Sequence, residues 1–139
     1  MSPGLMNLLQ WPVMLAGALA TATSPALEAA VWHCPVTEAL RCDAGSACVP
    51  GPTNVIILVD PGRNRFARCW DDLAHCDYFA ARFRRRGEQL TAQGSADGNF
   101  MNLSPELAVT EVSSIGNDVF IFRGRCGPAP DGPRPEGRP

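Results

Sequence analysis

The stretch TNVIILVDPGRNRFARCW, residues 53–70, decides the fold. Residues 53–60 form a β-branched run that is apolar on both faces, the pattern of a strand buried centrally in a sheet. Pro61-Gly62-Arg63-Asn64 then supplies turn residues, each suited to reversing the chain. Residues 65–70 return as a second strand with Phe66 and Trp70 on one face, because alternate side chains of a strand share a side. The two runs make an antiparallel hairpin.

Outward from this hairpin the same grammar repeats. Residues 77–86 alternate, with Phe79, Ala81 and Phe83 pointing one way and Tyr78, Arg82, Arg84 and Arg86 the other. Gly87-Glu88 turns the chain into residues 89–93, where Leu90 and Ala92 share a face, and GSADGN at 94–99 is another turn cluster. Short strands follow at 99–103 and 107–113, separated by Ser104-Pro105-Glu106. Ile115-Gly116-Asn117-Asp118 then turns into VFIFRGR, residues 119–125, the second strong strand. Turn signals recur about every 8 to 12 residues, as in an all-β sandwich or barrel. No window outside the leader sustains helical periodicity, although a short helical turn is expected at 35–41 or 71–76. The chain therefore predicts an all-β domain, a small antiparallel meander of about six to eight strands curled into a barrel or half barrel.

Six cysteines, Cys34, Cys42, Cys48, Cys69, Cys76 and Cys126, form an even set without a CxxC pair. In a short chain this indicates a disulfide framework and an oxidising compartment. Six cysteines allow 15 full pairings. Local geometry favours Cys42 with Cys48 and Cys69 with Cys76, each closing a small loop. Cys34 with Cys126 then pins the first strand to the last, a closure worth about 4 to 5 kcal/mol in the chain-entropy picture.

The leader has no acidic or basic side chain before Glu28. Its apolar run ends in small residues, with Ala18-Leu19-Ala20 and Ala20-Thr21-Ala22 both fitting the small-x-small rule. Residues 1–22 read as a secretory signal peptide, which places the mature protein in the periplasm or outside the cell and leaves no transmembrane anchor after cleavage. Residues 31–126 are the disulfide-stapled domain. Residues 127–139, GPAPDGPRPEGRP, are Pro- and Gly-rich with little to bury and predict a disordered tail. All 12 basic residues are Arg and none is Lys, a composition that codon bias in a GC-rich bacterial genome produces. The net charge of −2 gives no basic footprint for nucleic acid.

The arginines suggest a contact surface. Arg82, Arg84 and Arg86 line one face of a strand, and Arg63, Arg65 and Arg68 are expected on a nearby one, together forming a cationic patch for carboxylate or phosphate groups. A rival set is His33 and His75, each beside a cysteine, with Asp71 and Asp72, which would make a metal or small-molecule site at a barrel mouth. The cysteine spacings of 7, 5, 20, 6 and 49 intervening residues do not match zinc ligands. No oriented nucleophile accompanies the Asp71-Asp72 pair, so no catalytic residue, enzyme activity or cofactor is assigned.

From Trp32-His33-Cys34 to Arg123-Gly124-Arg125-Cys126, the chain resembles a loose group of small, uncharacterised, signal-bearing bacterial β proteins rich in cysteine. These open on Trp-x-Cys, carry a central Asp-x-x-x-x-Arg-x-x-Cys hairpin, here less regular at 60–69, and close on Gly-x-Cys. The resemblance covers most of residues 31–126 and implies no particular activity. More distantly, an aromatic-x-Cys opening, a meander and a final Cys are similar to periplasmic lysozyme inhibitors of the small β-barrel type. The Tyr-x-Cys opening and Ser-Gly-x-x-Tyr loop that those proteins use against the enzyme are absent, so no inhibitory residue carries over. The expected function is a non-enzymatic binding or accessory module of the bacterial envelope, whose partner is an envelope protein, a glycan or an anionic ligand. The alternatives are a metal- or small-molecule-binding barrel and an inhibitor of an envelope-active enzyme.

Overall fold

The computed structural model describes residues 27–129 except 44, 72, 96 and 97; the leader through residue 26 and the chain from residue 130 lie outside the described residues. The decisive hairpin is present as β3 (Val55–Asp60) and β4 (Arg65–Trp70), in register from Val55 opposite Trp70 to Asp60 opposite Arg65. A 3-10 turn at Pro61–Arg63 joins them, closed by the Asn64 N–H donating to the Pro61 carbonyl at 3.1 Å. Asn64 is left-handed at φ 51°, a conformation that Asn tolerates better than most residues.

The remaining strands are β1 (Trp32–Asp43), β2 (Val49–Pro50), β5 (His75–Arg86), β6 (Gln89–Gly94), β7 (Phe100–Leu103), β8 (Ala108–Ile115), β9 (Asp118–Arg125) and β10 (Gly127–Pro128). Eight of them close into an antiparallel barrel in the order β1-β3-β4-β5-β6-β7-β8-β9 and back to β1, with β2 and β10 as short additions along β1. Closure removes the open edges that would otherwise template aggregation.

The two twelve-residue strands, β1 and β5, make the corners by changing partner halfway. The first half of β1 pairs with β3 and the second half, from Val36, with β9. The change occurs at a bulge between Val36 and Glu38, opposite Gly124. A Cβ on Gly124 would run into the Pro35 carbonyl oxygen, so this close crossing requires glycine. β5 pairs with β4 through residues 75–80 and with β6 through residues 81–86. At its handover the Ala81 N–H donates to the Asn64 carbonyl at 2.8 Å and the Ala80 carbonyl accepts from the Ser95 N–H at 3.0 Å.

An eight-stranded barrel has an interior that side chains can fill. Here Ile57, Phe66, Leu90, Met101, Leu103 and Phe122 do so, each fully buried. Each contributes roughly 1.5 to 3 kcal/mol by leaving water. Leu27 and Ala30, from the segment ahead of β1, pack against this core, and the Trp32 Nε1–H donates to the Leu27 carbonyl at 2.9 Å.

All three expected disulfides are present: Cys34–Cys126, Cys42–Cys48 and Cys69–Cys76. The last links directly opposed residues of β4 and β5.

Two expectations need correction. Residues 35–41 are strand, not a helical turn. The bulge adds a residue, so Val36 and Ala39, three apart, both point inward and imitate helical spacing. The ordered chain also extends past Cys126: Gly127 and Pro128 pair with His33 and Trp32, and the Ala129 N–H donates to the Val31 carbonyl at 3.0 Å. Backbone hydrogen bonds order this piece without needing apolar side chains.

Candidate functional site

Strand parity separates the arginines. On β4, Phe66, Arg68 and Trp70 face the same way, and β3 opposes them with Val59, Ile57 and Val55. Arg68 therefore enters the barrel, where it is 4% exposed. Its Nε donates to Glu111 Oε1 at 3.0 Å and its Nη2 to Ser113 Oγ at 2.7 Å, while the Ser113 hydroxyl donates to Asn99 Oδ1 at 3.0 Å. The guanidinium lies 4.7 Å from the centre of the Phe79 ring and 5.8 Å from that of Phe122. Burial pushes the Glu111 carboxyl up to about 7, against the opposing pull of Arg68. Its Oε2 is buried without a hydrogen-bond partner. Arg68 is thus a polar pin joining β4 to β8 across the core, and its expected place in a surface patch is corrected.

Arg63 and Arg65 stay at the surface but are already engaged. Both reach Asp60 Oδ2, at 3.9 and 3.3 Å, and Arg65 lies 4.5 Å over the Tyr78 ring. The two share the single carboxylate of Asp60 within the hairpin.

Arg82, Arg84 and Arg86 differ. They project outward from the second half of β5, directly opposite Gln93, Thr91 and Gln89 on β6. On β7, Phe100 stands opposite Gln93, and Asn102 opposite Thr91. The result is a grid, with a column of guanidinium groups beside a column of amide and hydroxyl groups, and an aromatic ring beyond. These residues line a groove of about 820 Å³. None of the three arginines forms an ion pair with a described residue. Within the groove Asn102 donates to Gln89 Oε1 at 3.4 Å, while its own Oδ1 has no donor. Phe100 is 44% exposed. Arg85, with opposite parity, turns away to Gly87 and Glu28.

The rival metal set is not brought together. His33 lies on β1 opposite Leu58, and His75 opens β5 opposite Trp70. With β3 and β4 between them, they lie three strand spacings apart, about 14 Å, and are further offset along the strands by three residues, since His33 comes into register with Tyr78 and not His75. Asp71 sits in the exposed turn before β5, and Asp72 lies outside the described residues. Among the described residues no group of three or more His, Cys, Asp or Glu side chains has metal-binding proximity.

Sequence reasoning missed Glu111, Ser113 and Asn99 as partners of a buried charge. Parity held the signal, because Arg68 falls between Phe66 and Trp70 on the face already identified as apolar. Phe100, Gln89, Thr91, Gln93 and Asn102 were also missed as neighbours of the arginine stripe. Their alignment depends on the register of β5, β6 and β7.

Compared with known proteins, the chain matches no family model, no curated protein and no solved structure. The three disulfides fit an oxidising setting outside the cytoplasm. No helix among the described residues is long and apolar enough to cross a membrane.

Proposed function

We propose that this protein is a non-enzymatic binding module of the bacterial envelope, periplasmic or secreted, that captures an anionic ligand on the outer face of β5, β6 and β7. The observation that carries this reading is the column Arg82, Arg84, Arg86, whose charges have no carboxylate partner among the described residues, on a chain of net charge −2. Arginine offers planar, bidentate hydrogen bonding to carboxylate and phosphate groups. The signal-like leader and the disulfides support export, and the groove supplies the binding surface. Fold alone does not set function, so the weight rests on this face.

Salt-gradient elution from a sulfated-polymer matrix tests the proposal. Wild type and R63S are expected to be retained to the same ionic strength, whereas R82S/R84S/R86S elutes much earlier. Equal elution of the triple variant and wild type overturns the proposal.

A further inference from the structure

The geometry of the arginine face points to a more specific occupant, and this inference rests on the anion-binding reading above. We infer that the groove binds a linear acidic polysaccharide, with carboxylates on the arginine column and a sugar ring on Phe100. Successive outward residues of a strand lie about 6.7 Å apart. Arg82, Arg84 and Arg86 therefore place three cations in a line about 13 Å long. A single small anion spans only part of this line, whereas a polymer with repeating carboxylates engages all three.

The neighbouring column narrows the chemistry. Gln89, Thr91, Gln93 and Asn102 bring amide and hydroxyl groups, which both donate and accept hydrogen bonds, to this face. A polyhydroxylated chain meets such a surface along its length, while a bare polyphosphate would leave it unused. Phe100 closes the grid with an exposed ring face. It stands two strand spacings from the arginine column, about 10 Å, so a ring seated on it keeps its carboxylate within reach of the long Arg82 side chain. Apart from Phe100 and Ala92 the lining is polar or backbone, which does not suit an acyl chain or an apolar helix face.

The test is calorimetric titration at low ionic strength with three probes: a galacturonate tetramer, its neutral methyl ester and tetraglutamate. Wild type is expected to bind the galacturonate tetramer about tenfold or more tightly than either other probe. R82S/R84S/R86S should lose this binding. F100A should weaken it roughly 2- to 10-fold, as loss of an aromatic contact does, without changing the response to tetraglutamate. R63S, expected to melt and bind as wild type does, serves as the control. Equal or tighter binding of tetraglutamate, with no effect of F100A, overturns the polysaccharide inference while leaving the anion-binding face intact. Absence of binding to both charged probes, or undiminished binding by the triple variant, overturns both.

Discussion

Arg68 and the trio Arg82, Arg84 and Arg86 are the same residue type on opposite sides of one barrel wall. Arg68 is buried, accepted by a carboxylate and a hydroxyl, and flanked by two aromatic rings. The outer three face solvent beside amides and have no carboxylate among the described residues. A buried charge must bring its partners with it, because an unpaired ion inside a protein is very costly. An exposed charge need not, since water already solvates it. Partnering thus separates arginines that hold the fold from arginines left available to a ligand.

The largest expected effect lies inside. Arg68→Ala strands Glu111 in the core and should cost about 3 to 5 kcal/mol at pH 8, read as a lower urea midpoint. The double variant R68M/E111L removes both charges, and by the same principle should recover most of that loss. A double variant as unstable as the single one would mean that the pair contributes packing that hydrophobic side chains cannot replace.

Glu111 sharpens the comparison through pH. Its carboxyl is raised from an ordinary value of 4.5 to about 7 by burial. The folded chain therefore holds this proton more tightly than the unfolded chain does. Its contribution to stability is complete below about 4.5 and is lost as pH rises through about 7. Wild type should lose stability across that window and E111Q should not show this loss, as measured by urea midpoints at successive pH values. Parallel curves would show that Glu111 does not titrate in this range.

The smallest expected effect is outside. R82S/R84S/R86S should shift the unfolding free energy by no more than about 0.5 kcal/mol per site, as for solvated surface positions. A larger drop in melting temperature would mean that these side chains hold the barrel as Arg68 does.

Much of this architecture was legible in the sequence. The hairpin of β3 and β4 announced itself by a β-branched run, a Pro-Gly turn and a returning aromatic strand. Cys42–Cys48 and Cys69–Cys76 were legible because short loops restrict their partners, and the alternation of residues 77–86 placed the outer arginine column correctly. What escaped depended on tertiary context. The bulge in β1 disguised a strand as a helical turn. Gly127 and Pro128 joined the sheet through backbone hydrogen bonds that composition does not reveal. Arg68 was assigned outward by residue type although its parity pointed inward, and its partners lie 43 and 45 residues away. His33 and His75 flank cysteines of different disulfides, so nearness to a cysteine did not bring them together.

The most direct test of this division of labour is a map of backbone amide shifts in the oxidised protein as the galacturonate tetramer is added. The account predicts perturbations concentrated at 82–86, 89–93 and 100–102, with Arg68, Glu111 and Ser113 unmoved. Shifts centred on the Arg68–Glu111 network, with the β5 to β7 face silent, would contradict it and place binding inside the barrel.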